Sequence, residues 1–544
     1  MLLDKLLSKL CTVMYDIIIK NGTVIDGSGR PMYHANLAIK EGRIAAIGDF
    51  EHRYAARVID ATGQYVAPGF IDVNNHSDTY WQLLSHPELE SLLYQGITTI
   101  IGGNSGASLA PLTDPGIIRS IQKWTDVEKI NFNWLSMKEF LNEAERRRPA
   151  VNFATLVGHG TLRRGVMNDK TRAITPAEIE IMQRMLRLAL KEGAIGLSTG
   201  LKYTHARGAG SRELANLAKT AVSQKGVYVT YVRDEESDLV KAVGEAIAIA
   251  NEAKSPLHIS HLKAVGRTNW HLMDEAFNLI ETAALNNIQI SFDVYPYTTT
   301  GSVLYTLLPE WVTQEGRKMM LERLKDSGVR STVLRDMRNK EIDYSEIIVA
   351  ASTLSKMLSR RKISEIAILQ GKSPEETLLD FLIASKGRAI VSLKVLSEKN
   401  VLKAIQHPFS IISSNGVGYD VDHKKTGELV HPRNFGTFPK VFAEYVRKQK
   451  VLSWEEAVHK MSGKPAMKFQ LKNRGLLREG YFADIVVFQP DVIADCATME
   501  NPYQYATGIS WIAVNGSLVM EEGELLANGR FGNILRRERG WFEW

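Results

Sequence analysis

VYVTYVRDEESDLVKAVGEAIAIANEAKSPLHISHLK, residues 227–263, is the stretch that decides the fold. It opens on a run of β-branched and aromatic residues, which favours a strand. A polar turn follows, then an alanine-rich helical stretch across 237–253, then a second short apolar run, PLHISHLK. Two short apolar runs joined by a helix form the unit that sets neighbouring strands parallel, because a parallel pair needs a long crossover. The pattern extends in both directions. Upstream, Thr175-Pro176-x-Glu178 reads as a capping box with proline at the first position of a helix over 175–192, stopped by Gly193. AIGLSTG (194–200) is the next strand, and a helix runs from Ser211 to near Gly226. Downstream come a helix across 270–286, the strand IQISFDVYPY (288–297), a helix over 398–406 and the strand FSIISSNG (409–416). A last helix, capped by Ser453-x-x-Glu456, ends at Gly463. Repetition of this unit predicts an α/β fold, a (β/α)8 TIM-like barrel over 69–465. The segment from about 303 to 372 is helix-rich and charged and breaks the rhythm, which predicts a helical insertion late in the barrel.

From 15 to 68 the chain reads as strands and tight turns, with Asn-Gly, Asp-Gly and Glu-Gly punctuating alternating apolar runs. RGLLREGYFADIVVFQP (474–490) and ISWIAVNGSLVMEEGELL (509–526) repeat the style. Together they predict a small β-sandwich domain formed by both termini, 14–68 and 466–544. Residues 1–13, with Leu at 2, 3, 6, 7 and 10, read as an amphipathic N-terminal extension ahead of Met14.

Hydrophobic residues at 44% and charged residues at 24% place the chain among ordinary soluble globular proteins. The net charge of +6 is spread, in RRR at 146–148, RR at 360–361 and RRER at 536–539. Without a basic stripe interleaved with aromatics, nucleic acid is not an expected partner. Cys11 and Cys496 form no CxxC, and one pair cannot staple a chain of this length, so the expected setting is reducing, intracellular and cytoplasmic. No apolar run is long enough for a membrane span, so no membrane is expected either.

Chemistry in such barrels sits at the C-terminal ends of the strands. Those ends are Asn74 and His76, Ser105, His159, Tyr203, Tyr231, His261, Asp293 and Asn415. A metallohydrolase would offer three His, Cys or carboxylate ligands there, an open position for water, and a carboxylate as base. His76, His159 and His261 are the best donors, although each also reads as a hydrogen-bonded structural histidine. Ser105 and Tyr231 are poor substitutes, since a tyrosine with a pKa of about 10 stays protonated at pH 7. Asn415 accepts hydrogen bonds but takes up no proton. Residue chemistry alone leaves the mouth without a full ligand set and without a base.

At these residues the sequence resembles the N-acyl-D-amino-acid deacylase (D-aminoacylase) family of the amidohydrolase superfamily. The resemblance runs from Met14 through APGFIDVNNHSD, QGITTIIGGNSGASLAP, LVGHGTLR, GLSTGLKY, VYVTYVRDE, ISHLK, DVYPYT, HPRNFGTFPKV and MSGKPA to GLLREGYFADIVVF. It implies a (β/α)8 barrel with a small β domain from both termini. It also implies a His-x-His pair at the first strand end, where this chain has Asn74 and His76. The family's Gly-Asn-Cys-Gly is GNSG here, with Ser105, and its Thr-His-x-Arg-Asp-Glu is TYVRDE, with Tyr231. Ser-His-x-Lys is kept as His261 and Lys263. The catalytic aspartate of Ser-Asp-Gly becomes Asn415. Four of the six metal and base positions are thus neutral polar residues, and His76 and His261 are retained.

Substrate-binding positions implied by the resemblance are Tyr203, Lys263, Arg163 and the hydroxyls around Thr300. Further candidates are His159, Lys202, His205 and Asp293; Lys202 stands where the family is usually apolar. One reading is a deacylase-like protein with an eroded zinc site, inactive by the conventional route. It would act as a binding or structural homologue, with a small N-acylated amino acid or peptide as ligand, and with a homo-oligomer or an assembly with an active relative as partner arrangements. A second is an amide hydrolase with altered chemistry, built from His76, His159, His261, Lys202, His205 and Tyr231, metal-independent or with a single metal. A third is a conventional deacylase that recruits other ligands, with Asn415-Gly416 deamidating to aspartate. No cofactor is expected, apart from residual weak zinc binding.

Overall fold

Eight short parallel strands form the body of this computed structural model, which describes residues 14–50, 54–118, 132–168, 170, 172–339, 342–352, 354 and 358–537. They are Phe70–Asp72, Ile97–Gly102, Asn152–Thr155 continued by Val157–Gly158, Gly196–Gly200, Val227–Tyr231, Leu257–Ile259, Ile290–Val294 and Ser410–Ile412. Each pairs in parallel with the next. A parallel bridge between Asn75 and Gly416 returns the eighth strand to the first and closes the barrel. The expected extension 1–13, with Cys11, lies outside the described residues. No helix among the described residues is long and apolar enough to cross a membrane.

Local sequence explains the outer ring. Thr175 Oγ1 accepts from the Glu178 N–H at 3.3 Å, and the Glu178 carboxylate accepts from the Thr175 N–H at 2.8 Å, which starts helix Pro176–Lys191. Helix Leu239–Ala253 buries Leu239, Ala242, Val243, Ala246, Ile249, Ala250 and Ala253, one stripe at helical spacing whose small side chains let it lie close to the strands. The barrel floor is plugged from the C-terminal side. Ala466, Phe469 and Leu471 pack with Ile71, Ile101, Val229 and Ile411. The expected boundary at 466 therefore cuts through the barrel core, because these apolar side chains seal its lower end. Residues near the C-terminus return as well: Phe153 N donates to Asn533 O at 2.9 Å.

The small domain is a nine-stranded sheet that interleaves both ends of the chain. Ile485–Phe488 pairs antiparallel with Tyr65–Pro68, and Tyr15–Val24 pairs with three different strands, so the sheet branches there. Ile17, Val24, Leu37, Ile59, Ile485 and Val487 share its core.

The late excursion is longer than the expected 303–372. Strand Thr299–Val303 pairs antiparallel with Ala389–Lys394, and Ile347–Ser352 flanks the latter. Around this sheet a separate core forms from Leu304, Val312, Leu324, Ile363, Leu378 and Val391. The unit thus closes on itself from Thr299 to Lys394. Its two bounding strands are short and carry polar residues, so sequence pattern alone does not mark them.

One buried carboxylate ties the barrel's closing seam. Asp72, fully buried, accepts from Ser414 N at 2.9 Å, from Ser414 Oγ and from Asn75 Nδ2 at 2.9 Å. Asp72→Ala leaves these donors unpaired, and the unfolding midpoint in urea is expected to fall by the equivalent of about 2 kcal/mol. A midpoint equal to that of the parent would contradict this role.

Candidate functional site

Because the strands end at one level, the residues that follow them converge on a cavity of about 150 Å³, roofed by the sheet of the excursion. Of the residues singled out in the sequence, it brings together His76, Ser105, Lys202, Tyr203, Tyr231, His261, Lys263, Thr300 and Asn415. Ser105, His261 and Asn415 hold φ angles of 54°, 37° and 46°. Such left-handed backbone is uncommon outside glycine and asparagine, and it clusters at sites that must aim a side chain.

Three of the four substituted positions are each held by a specific hydrogen bond. His76 Nε2 lies 2.8 Å from Asn415 Oδ1, which can only accept, so Nε2 carries the proton. Burial lowers the His76 pKa to about 4, against the opposing pull of the Asn415 contact. Asn74 turns below the mouth, its Nδ2 donating to Asp293 Oδ1 at 3.2 Å, and Asp293 also pairs with His258 Nε2 at 3.0 Å. Tyr231 Oη donates to Glu235 Oε2 at 3.1 Å. Burial and the neighbouring Glu235 push the Tyr231 phenol well above its ordinary value.

Glu235 is the hub of the polar wall. It is buried, pairs with Lys263, and lies 3.3 Å from His261 Nδ1. Burial alone would raise its pKa, but Lys263 and His261 hold it down at about 2. Lys202 Nζ lies 2.8 Å from Glu236 Oε1. Burial disfavours its charge, yet Glu236 and Glu235 hold it above the ordinary lysine value.

Arg433 differs from both lysines. It lines the same cavity, with its guanidinium 5.2 Å from the Tyr295 ring centroid, and Tyr295 Oη donates to Thr300 Oγ1 at 3.1 Å. Its Nε and Nη1 are buried and have no hydrogen-bond partner. Its charge is felt by His76, Tyr80, Tyr203 and Tyr419, which places it centrally in the cavity. Neither Arg433 nor Glu235 was singled out in the sequence, although HPRNFGTFPKV and VYVTYVRDE contain them. A lone arginine in a loop carries no periodicity, and an acidic residue after a strand reads as a solvated turn.

Several expected residues lie elsewhere. His159 is fully buried and pairs through Nε2 with Glu213 Oε1 at 2.8 Å. Arg163, expected to bind substrate, instead donates to Glu213 Oε1 at 3.1 Å, to His205 O at 2.5 Å and to Arg172 O at 3.2 Å. His205 Nδ1 lies 2.8 Å from Arg164 Nη2. The reason is local: the third strand ends at Gly158 and helix His159–Met167 starts at once, which turns these side chains away from the cavity. Asp293 and Asn74 are likewise below the lining. Deamidation at Asn415 also meets an obstacle, since the Gly416 nitrogen that would attack the amide donates to Ser414 Oγ at 2.9 Å.

Comparison with known proteins fits this geometry. The amidohydrolase-family profile matches residues 57–520. The chain is 35% identical to an N-acyl-D-aspartate deacylase of Alcaligenes xylosoxydans xylosoxydans over 521 residues, covering 96% of this chain and 95% of the relative. It is 34% identical to a D-aminoacylase from the same organism, covering 96% and 98%. Among solved structures, an N-acyl-D-glutamate deacylase from Bordetella bronchiseptica, complexed with zinc and a phosphonate mimic of the tetrahedral intermediate, superposes with a TM-score of 0.81 at 31% identity, covering 96% of this chain and all of that one. A D-aminoacylase with a binuclear metal centre, described by one-metal activation and second-metal attenuation, gives 0.82 at 33% identity with the same coverage.

These neighbours correct the expectation that no cofactor is involved: zinc belongs to the chemistry of proteins this similar. His76 and His261 are the cavity imidazoles of this chain that could act as ligands. The donors around them do not fit a binuclear centre. Positions 74 and 415 carry amides, 105 a hydroxyl and 231 a protonated phenol, and no group of three His, Cys, Asp or Glu among the described residues is arranged to hold a metal ion. With its closed barrel, its β domain from both termini and its matched profile, the chain belongs to the amidohydrolase family, among the relatives of the D-aminoacylases.

Proposed function

We propose that the barrel mouth binds the carboxylate of an N-acylated D-amino acid at Arg433, in a protein whose deacylation chemistry is reduced by loss of its base. The observation that carries this reading is the guanidinium with two buried nitrogens lacking partners. A buried cation without a counter-charge is costly to the fold unless a ligand supplies one. A carboxylate fits the planar fork of donors. The acyl amide would then reach towards His76 and Asn415, which line the same cavity. There the relatives' reaction needs a proton acceptor. Asn415 is not one, and Glu235, held at about 2 beside Lys263, is too weak a base at neutral pH. Tyr203 and Tyr231 remain protonated, since burial raises both, and serve as hydrogen-bonding walls.

Isothermal titration with N-acetyl-D-methionine and with its methyl ester tests this. Saturable binding of the acid is expected at micromolar to millimolar Kd, with the ester at least about tenfold weaker. Equal affinity for the two, or no binding of the acid, would overturn it.

A further inference from the structure

We propose that the ligand of this pocket carries a single carboxylate and an apolar remainder, with no second acidic group; this rests on the reading of Arg433 above. The relatives are named for aspartate, glutamate and unspecified D-amino-acid substrates, so ligand charge is the open question for this chain. Charge inside the cavity answers it. Lys263 and Lys202 are each already matched by a carboxylate, Glu235 and Glu236. His431 adds no charge, because Nδ1 accepts the Arg433 N–H at 3.0 Å and Nε2 donates to Thr299 O at 3.1 Å, the pattern of a neutral ring. Burial and then the Arg433 charge keep it so. Among the described residues, Arg433 is therefore the cavity cation without a carboxylate partner.

One side of the wall disfavours a second anion. Leu307, Ala351, Ile390 and Leu393 come from the excursion, and Leu429 joins them through its N–H on Ala350 O at 2.8 Å. A carboxylate against these side chains loses hydration without gaining a partner. The nearby rim charge is Glu428, its side chain 43% exposed, which repels an anion. An apolar side chain or acyl chain gains from the same surface by leaving water.

Titration of the parent protein with N-acetyl-D-leucine, N-acetyl-D-aspartate and N-acetyl-D-glutamate tests the inference. The leucine derivative is expected to bind at least about tenfold tighter than either diacid. Ala351→Arg, which adds a cation to the apolar wall, is expected to narrow that ratio. Equal or tighter binding of a diacid would overturn the inference while leaving Arg433 as carboxylate seat. No binding of any of the three would remove both readings together.

Discussion

Arg433→Met is expected to weaken binding of N-acetyl-D-methionine by about 100-fold, because truncating one partner of a buried charge pair costs a few kcal/mol. The same change is expected to hold or raise the thermal midpoint of the ligand-free protein. Two of the guanidinium nitrogens are buried without partners, so the folded state bears a desolvation cost that methionine removes. Opposite signs for binding and stability separate a ligand seat from a structural arginine, whose loss would lower both. Arg433→Lys is expected to recover part of the affinity, since an ammonium restores charge but not the two-pronged geometry. Titration calorimetry and thermal unfolding on the three proteins give the comparison. Unchanged affinity in the methionine variant would contradict the assignment.

A protein carrying Asn74→His, Ser105→Cys, Tyr231→His and Asn415→Asp is expected to hydrolyse N-acetyl-D-methionine at least about 1,000-fold faster than the parent, with zinc supplied to both. The surroundings favour this. A histidine at 74 would face Asp293, which already accepts from Asn74 Nδ2, and a histidine at 231 would face Glu235, which already accepts from Tyr231 Oη. Carboxylates in those places orient imidazoles for metal binding. An aspartate at 415 would keep its contact with His76 Nε2, now as a charged acceptor. Steady-state rates together with metal content by mass spectrometry provide the readout. A four-site protein that takes up zinc without a gain in rate would show that loss of the base and ligands does not explain the chain's chemistry.

Much of the barrel was legible because its signals are local and repeated. The capping box at Thr175, the alanine stripe of Leu239–Ala253 and the short apolar runs each point to one secondary structure. The strand ends could then be named, and six of those nine residues do line one cavity. What failed had physical reasons. His159 and Arg163 follow a strand directly but begin a helix, so their side chains turn to Glu213. Asn74 and Asp293 sit one layer deeper than the mouth. The excursion's outer limits depend on pairing between residues 299–303 and 389–394, a contact far apart in sequence. Arg433 is set by the same kind of distance: its neighbours Tyr295 and Thr300 lie more than a hundred residues before it. No window along the chain shows that its donors lack partners.

The most direct test of Arg433 as the carboxylate seat is a crystal structure of the parent protein with N-acetyl-D-methionine bound. The ligand carboxylate is expected on the Arg433 guanidinium at about 2.8 Å, with the acyl amide facing His76 and Asn415. A carboxylate held by Lys263 or Lys202 instead, with Arg433 still unpaired, would contradict it.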